Sequence, residues 1–322
     1  MIAVLLAAIS IAFPSNGRKL PNLSTCYMIG SASRGVTNLT IQGKQVEIFH
    51  TGAWSTMLKL DSGFNTIAIE ANGEATNIAL NVEAPKTAIA GVKDKIQMPR
   101  KWAKLSYASD VARSHPTNKA PAEITVVLDP GHGGADSGAL SPHGFYEKEA
   151  NLLLAREMRA ALIEKGFKVI MTRESDVAVE LYERPKLAHT NNADLFISIH
   201  HNAPPLDKNP AVTRYFIVYV WNELGRRLAE PIARNIGNAL DGEIPNNGVA
   251  FANYAVTRNP EIPSCLIETD FITSPAGELA SWDHKRRKKI AAALADGVIE
   301  WLAPQEMPQE TAESRIEKIT VE

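Results

Sequence analysis

The sequence predicts two folded units: a small all-β sandwich domain, followed by a larger α/β domain with a mainly parallel sheet and helices on both faces. Three observations support this prediction. The chain has 322 residues, which is enough for two domains at roughly 100–200 residues each. Short strand-like segments recur about every ten residues in the first part of the chain. From residue 123 onward, buried strands alternate with amphipathic helices.

The composition is that of an ordinary globular protein, with 45% hydrophobic and 22% charged residues. The formal net charge of −2 arises from 34 basic and 36 acidic residues, which argues against a nucleic-acid binder relying on bulk positive charge. The two cysteines, Cys26 and Cys265, are too few for a disulfide framework, and neither lies in a C-x-x-C pair. The sequence therefore excludes a fibrous chain, wholesale disorder and a cysteine-based zinc knuckle.

The first element of the chain is an apolar run, Ile2–Phe13. It is shorter than the about 20 residues that a membrane-spanning helix needs, and its length fits the apolar core of a secretory signal. We therefore expect residues 1–25 to be a signal or anchor segment, without a stable membrane span. The alternative is that the run forms a first buried strand or helix.

Residues 26–86 are predicted to form the β sandwich, because apolar residues alternate along short segments that glycine-containing turns separate. The predicted strands are Tyr27–Ser33, Asn38–Gln42, Gln45–Phe49, Ser55–Leu60, Thr66–Ala71 and Asn77–Val82. The stretch IQGKQVEIFHTGAWSTMLKLDSGFNTIAIEANG resembles the bacterial immunoglobulin-like modules that accompany extracellular enzymes. This resemblance implies a fold and no chemistry.

Residues 87–122 are expected to be a linker, since prolines and scattered polar residues follow no steady period, and residues 304–322 a polar tail. Between them, residues 123–303 are predicted to form the α/β domain. Its predicted strands are Ile124–Leu128, Val169–Met171, Leu195–Ile199, Tyr215–Val220 and Ser264–Ile267, and its predicted helices are Lys148–Lys165, Leu181–Asn192, Glu223–Leu240 and Lys288–Leu302.

Residues that commonly bind metals lie at the ends of three predicted strands. His132 follows the first strand, His200 ends the third and Glu268 ends the fifth, while Glu147 begins the first helix. Because ligands bind outside the carboxyl ends of parallel strands, we expect these side chains to converge at one edge of the sheet. Two histidines and one carboxylate form a common set for catalytic zinc, and the remaining carboxylate is then available as a base.

The motifs around these residues are specific to one family. The segments LDPGHGGADSGA, EKEANLLLA, VIMTRESD, LYERPKLAH, LFISIHHNA and IPSCLIETDFI resemble, in order, the zinc-dependent N-acetylmuramoyl-L-alanine amidases of the amidase 3 family. The resemblance runs from about residue 124 to 302. It implies one zinc ion bound by His132, Glu147 and His200, and a catalytic role for Glu268.

The resemblance also implies roles for residues outside this set. Arg258 and Asn202 are candidate substrate contacts, and Arg173 and Arg184 are expected to be structural. His201 competes with His200 as a ligand, but the motif favours His200.

The function that follows from the resemblance is zinc-dependent hydrolysis of the amide bond between the lactyl group of N-acetylmuramic acid and L-alanine of the peptidoglycan stem peptide. Such an enzyme acts on peptidoglycan or muropeptides in the cell envelope, either in the periplasm or after secretion. Two alternatives remain open at this point. One is a non-catalytic wall-binding protein, and the other is a zinc peptidase that cuts within the stem peptide.

Overall fold

The computed structural model describes residues 8–84 and 119–303. The predicted tail and nearly all of the predicted linker lie outside these residues, as do residues 1–7 of the apolar run. The described residues form an N-terminal β sandwich and a C-terminal α/β domain, as the sequence predicts.

Residues 8–84 contain eight strands in two sheets that pack face to face. The strands are β1 (Ile9–Phe13), β2 (Lys19–Leu20), β3 (Thr25–Ala32), β4 (Leu39–Ile41), β5 (Lys44–Gln45), β6 (Ala53–Lys59), β7 (Gly63–Ala71) and β8 (Glu74–Val82). One sheet has the order β1-β3-β6, and the other has the order β2-β8-β7-β4-β5. The alternating apolar residues of both sheets meet in one core, which includes Trp54, Leu39, Ile67 and Leu80.

The apolar run at the N-terminus contributes the first of these strands. Ile9–Phe13 pairs antiparallel with β3, and Ile9 is buried in the sandwich core. The expected limit of the sandwich at residue 26 is therefore wrong, and the domain includes residues from Ile9 onward. The alternative interpretation is correct in that these five residues form a strand, of which Ile9 is buried and Ile11 and Phe13 are partly buried.

The prediction of a strand over Gln45–Phe49 is also wrong, since β5 ends at Gln45. The backbone amide of Val46 still donates to the Leu39 carbonyl, whereas Ile48 forms an isolated bridge with Trp54 of the other sheet. Residues 46–49 cross from one sheet to the other, so they cannot continue the hydrogen-bond ladder of either sheet. The other five predicted strands match observed strands to within a few residues.

Residues 119–303 contain six strands and five α-helices. The strands are β9 (Thr125–Pro130), β10 (Lys168–Met171), β11 (Leu195–Asn202), β12 (Phe216–Val220), β13 (Asn246–Phe251) and β14 (Ser264–Phe271). The helices are α1 (Glu147–Glu164), α2 (Glu183–Thr190), α3 (Glu223–Leu240), α4 (Pro275–Trp282) and α5 (His284–Leu302). Strand β13 and helix α4 are elements that the sequence analysis missed.

These strands form one sheet with the order β10-β9-β11-β14-β12-β13. The first four are mutually parallel, whereas β12 is antiparallel to β14 and β13 is parallel to β12. Helices α1, α3 and α5 cover one face through a large apolar core, and α2 with the 3₁₀ helix Ala255–Thr257 covers part of the other. The predicted mainly parallel sheet with helices on both faces is confirmed.

The two domains touch through loops of the α/β domain. Leu206, in the loop after β11, packs against the sandwich core, and its carbonyl accepts a hydrogen bond from the Tyr27 amide at 2.8 Å. His143, in the loop before α1, places Nε2 3.2 Å from the Thr51 carbonyl oxygen. Within residues 8–84 and 119–303, every helix is too short or too polar to cross a membrane.

Candidate active site

The predicted convergence at the sheet edge is present in the structure. Strands β11 and β14 are neighbours, and their register pairs His200 directly with Glu268. The loop after β9 brings His132 to the same edge, and the first residue of α1 is Glu147. Both β11 and β14 extend beyond their predicted ends, so His200 and Glu268 lie inside the strands and are held by ladder hydrogen bonds.

Three of these side chains, His132, Glu147 and His200, form a compact cluster of metal-binding atoms, which we call the metal-type cluster. His132 Nε2 lies 3.2 Å from Glu147 Oε2, and His200 Nδ1 lies 2.9 Å from Glu147 Oε1. One donor atom from each of the three residues lies within 4.8 Å of the other two, and no further such group occurs in the described residues. The donor types, two imidazole nitrogens and one carboxylate oxygen, fit a catalytic divalent metal.

Glu147 is the centre of this cluster and is buried. Its Oε2 accepts a hydrogen bond from the Ala139 amide, and its Oε1 accepts one from the His201 amide. Burial alone would raise the pKa of Glu147, but the hydrogen bonds and charges of His132 and His200 outweigh it and hold the pKa well below its ordinary value. Glu147 is therefore an anion in the cluster.

His132 is oriented by a second carboxylate. Its Nδ1 lies 2.8 Å from Asp136 Oδ2, which leaves Nε2 directed at Glu147. Burial lowers the pKa of His132, but Glu147 and then Asp136 outweigh it and raise the pKa to about 9. A carboxylate on the outer nitrogen of a ligand histidine fixes the ring and its tautomer, so Asp136 supports His132 as a metal ligand.

Two buried arginines, Arg173 and Arg184, hold the loop that carries His132 in place. Arg184 donates to Asp129 Oδ1 at 2.8 Å and to the carbonyls of Pro130 and His132. Arg173 donates to the carbonyls of Pro130, Gly131 and Lys148. These bonds give partners to carbonyls at the end of β9, in the loop and in the first turn of α1. The expectation that both arginines are structural is confirmed.

Gly131 is the point at which this loop touches β11. Its amide donates to the Ile199 carbonyl at 3.0 Å. A Cβ atom on residue 131 would overlap the imidazole ring of His200. Only glycine allows the loop and the His200 side chain to share this space.

His201, the competing ligand, lies outside the cluster. Its side chain is buried, and its Nδ1 lies 2.8 Å from Asn151 Oδ1. Burial lowers the pKa of His201 to about 4, so the ring is neutral. The structure therefore separates the two adjacent histidines, with His200 at the metal-type cluster and His201 hydrogen-bonded to α1.

Glu268 is a buried carboxylate with an unsatisfied oxygen. It is 8% exposed, and its Oε2 has no hydrogen-bond partner. Burial first, and then the negative charge of Glu147, raise the pKa of Glu268 well above its ordinary value. A buried polar atom without a partner is rare in proteins, and here it lies beside the strand that carries His200.

Comparison with known proteins identifies the family. Residues 126–300 match the family model described as N-acetylmuramoyl-L-alanine amidase, which is more than half of the chain. The chain belongs to the N-acetylmuramoyl-L-alanine amidase family. Family membership confirms the predicted enzyme class, an amidase that hydrolyses the peptidoglycan amide bond, and places its action in the cell envelope or outside the cell.

Individual relatives agree with this assignment. The amidase is 30% identical over 229 residues to N-acetylmuramoyl-L-alanine amidase AmiA of Salmonella typhimurium, covering 58% of this chain and 78% of that protein. It is 28% identical over 255 residues to the probable cell wall amidase LytH of Staphylococcus epidermidis, covering 78% of this chain and 79% of that protein. The solved amidase AmiC2 of Nostoc punctiforme superimposes with a TM-score of 0.52 at 34% identity, covering 56% of this chain and 97% of that one.

The two candidate substrate residues of the amidase lie on different elements. Arg258 is exposed at the end of the 3₁₀ helix Ala255–Thr257, and its guanidinium donates to the Asn253 carbonyl. Asn202 ends β11, two residues after His200, and its side-chain oxygen accepts a hydrogen bond from the Ala203 amide. Neither residue belongs to the metal-type cluster.

The sequence analysis missed several residues around the site of the amidase. Asp136 had no predicted role, because its contact with His132 depends on how the loop between the two residues folds. His143 pairs with Glu278 of α4 at 2.7 Å, a contact between distant segments that no local pattern reveals. Tyr219 lies on β12 and Tyr215 lies one residue before that strand, and a separation of four residues along extended backbone predicts a shared face.

Proposed function

We propose that this amidase is zinc-dependent, with one zinc ion held by His132, Glu147 and His200 and with Glu268 as the catalytic carboxylate. Its substrate bond is the amide between the lactyl group of N-acetylmuramic acid and L-alanine of the stem peptide. The observation that carries the proposal is a pair of features at one sheet edge. Three zinc-type donor atoms lie within 4.8 Å, and a buried carboxylate oxygen without a partner lies beside them.

The donor set fits zinc in its chemistry. Two histidines and one glutamate are a common protein contribution to catalytic zinc, with a further position left for water or substrate. When bound, zinc supplies Lewis acidity, which acidifies water and polarises a carbonyl oxygen. Asp136 keeps the His132 ring in the orientation that directs Nε2 to this position.

Glu268 carries the proton in the proposed reaction. It accepts a proton from the attacking water as the new C–O bond forms, and it donates that proton to the amide nitrogen as the C–N bond breaks. A general base works best when its pKa lies near the working pH, and burial beside Glu147 moves the pKa of Glu268 upward from the ordinary carboxyl range. Its unpartnered Oε2 leaves a lone pair available for this transfer.

Substrate binding is assigned to residues at the rim of the site. We propose that Arg258 binds a peptide carboxylate, since a guanidinium offers a bidentate pair of donors, and that Asn202 contacts the substrate beside His200. The amidase would work in the periplasm or after secretion. Residues 123–303 would be the catalytic domain, connected by a linker at 87–122 to the sandwich and followed by a tail at 304–322.

Product analysis tests this function directly. Purified peptidoglycan is digested with the full chain, with and without a metal chelator, and the products are analysed by mass spectrometry. We expect free lactyl groups on muramic acid and new L-alanine amino termini, and we expect the chelator to abolish both. New amino termini at a later residue of the stem would instead identify a peptidase, and release of neither product would contradict the proposal.

The role of Glu268 is tested by Glu268→Gln, which keeps the shape of the side chain and removes its ability to accept a proton. We expect about 10²–10⁴-fold lower turnover, with zinc content unchanged as measured by elemental analysis. The matched control is Glu261→Gln, an exposed glutamate in the preceding loop, which should keep full turnover. Loss of zinc in Glu268→Gln would make Glu268 a ligand and would contradict the assigned roles.

A further inference from the structure

Three tyrosines lie beside Glu268 and are not used by the proposed chemistry. Strand β12 is antiparallel to β14, with Ile217 opposite Glu268 and Tyr219 opposite Leu266. Residues that alternate along a strand share a face, and directly paired residues project to the same side. Tyr219 therefore lies on the same face of the sheet as Glu268, and Tyr215, just before β12, continues this row.

The rings of these tyrosines are packed against neighbours. Tyr219 and Tyr254 have ring centroids 5.2 Å apart, and Tyr215 and Phe271 have centroids 4.6 Å apart in an edge-to-face arrangement. Tyr254 comes from the loop after β13, and it is 40% exposed. Tyr219 and Tyr254 together form an aromatic surface that is partly open to solvent. We call it the tyrosine wall.

The order of strands gives the tyrosine wall a defined position relative to the chemistry. In the sequence β11-β14-β12, Glu268 stands on the middle strand, with His200 on one side and Tyr219 on the other. The carbonyl carbon of the scissile amide must lie by the metal-type cluster. The leaving nitrogen must lie within reach of Glu268, because Glu268 returns the proton to it. The metal-type cluster takes up the β11 side of Glu268, so the side left for the group attached to that nitrogen is the β12 side.

We propose that the tyrosine wall receives the first residue of the leaving stem peptide and selects for its small apolar side chain. This inference rests on the proposed function and adds to it the part of the substrate that the wall recognises. The ring faces of Tyr219 and Tyr254 give a methyl group an apolar surface, while the phenol hydroxyls provide donors for peptide carbonyls. Arg258, four residues after Tyr254, lies on the same loop, where a peptide carboxylate further along the stem would follow.

The environment keeps these hydroxyls in their donor form. Burial, and then the neighbouring Tyr215, Tyr254 and Glu268, raise the pKa of Tyr219 to about 12. Burial and then the charge of Glu268 also raise the pKa of Tyr254. Both phenols therefore stay protonated over the working pH range and can donate to the substrate.

The test compares substrates that differ only in the first peptide residue. The probes are N-acetylmuramoyl-L-alanyl-D-isoglutamine and its analogue with glycine in place of L-alanine. One methyl group in an apolar site changes kcat/KM by about 10–200-fold, so the wild-type enzyme should prefer the L-alanine substrate by a factor in this range. In Tyr254→Ala we expect that preference to fall below about 3-fold, mainly through a higher KM for the L-alanine substrate.

Two further variants keep the test decisive. Tyr219→Phe keeps the ring and the packing, and it should retain the preference for L-alanine while raising KM for both probes. Phe64→Ala removes an exposed aromatic ring on the sandwich and should behave as wild type. An equal fall in kcat/KM for both probes in Tyr254→Ala would leave the preference for L-alanine unchanged and would overturn the proposal. If the wild-type enzyme releases no new amino terminus, neither L-alanine from the first probe nor glycine from the second, the proposed function itself fails, which is a different result.

Discussion

The two domains of this amidase differ in what they bury. The sandwich core consists of apolar side chains from both sheets, including Trp54, Leu58 and Ile69. In residues 8–84 and 119–303, every buried residue that is polar or charged lies in the α/β domain, between Asp129 and Arg287. Burying a charge is unfavourable unless it is paired. The α/β domain, which carries the site, therefore needs partners for its buried charges, whereas the sandwich core is held together by apolar packing.

The difference also shows how the metal-type cluster is built. Arg184 and Asp129 form a buried ion pair under the loop that carries His132. Such pairs contribute little net stability compared with apolar residues of the same size, but removing one partner is strongly destabilising. The α/β domain therefore keeps buried charges that position the metal-type cluster, whereas residues 8–84 contain no such cluster.

The largest effect that separates the two domains is expected from breaking this ion pair. Arg184→Met keeps much of the side-chain volume but leaves Asp129 without its cation, so we expect a loss of about 3–5 kcal/mol of unfolding free energy. We also expect reduced zinc content, because the His132 carbonyl loses its donor. Urea denaturation and elemental analysis measure the two quantities.

The matched control lies in the sandwich. Ile69→Val removes one methyl group from a buried site, and it should lower the unfolding free energy by about 0.5–1.5 kcal/mol. Its zinc content should equal that of the wild type. If Ile69→Val also lost zinc, packing in the sandwich core would affect the metal site, and the two domains would not be independent in this respect.

An intermediate effect is expected from Asp136→Asn. The Asp136 side chain is 66% exposed, so its replacement should leave the unfolding free energy nearly unchanged. It removes the carboxylate that orients His132, and changes of this kind typically lower metal affinity by about 10–100-fold. Competition with a metal-binding dye measures the affinity. An unchanged affinity would show that the loop alone orients the ring.

The smallest effect concerns the contact between the domains. Leu206→Ala removes a half-buried leucine from the sandwich core. Complete burial of such a side chain is worth about 1.5–3 kcal/mol, so we expect a loss of about 1 kcal/mol. This loss of free energy should weaken the coupling between the domains, so that the two unfold at different urea concentrations.

Each domain contains one buried cysteine that can report this coupling. Burial raises the pKa of Cys26 to about 11, with a smaller opposing effect of Arg18, and burial also strongly raises the pKa of Cys265. At pH 8 both thiols are protonated and buried, so neither should react with a thiol reagent in the native protein. In increasing urea the two should become reactive together in the wild type and at separate concentrations in Leu206→Ala. Separate midpoints in the wild type would show that the contact does not couple the domains.

The elements that the sequence predicted well are those defined by local pattern. The continuous apolar run of β9 and the helical stripe of α1 are visible in the sequence, and the topology rule for parallel strands then brings His200 and Glu268 to one edge. Helix α4 carried a usable signal that was overlooked, since Ser274 is an N-cap and Pro275 occupies the first helical position.

The parts that could not be predicted depend on contacts between distant segments. Strand β13 begins Asn246-Asn247-Gly248, which looks like a turn, and it is a strand because it pairs with the exposed edge of β12. The apolar N-terminal run is ambiguous by itself, and its pairing with β3 decides that Ile9–Phe13 is a strand. The structural role of Asp136 appears only when His132 is placed beside it.

The close approach of Gly131 to His200 has a consequence for saturation mutagenesis. Any side chain at residue 131 would meet the His200 ring, so each of the other amino acids should inactivate the enzyme about as thoroughly as replacing a ligand. A scan that ranks positions by lost activity would then place this glycine among the reacting groups. Zinc content and thermal stability, measured together on such variants, would distinguish a residue that takes part in chemistry from one that keeps its space empty.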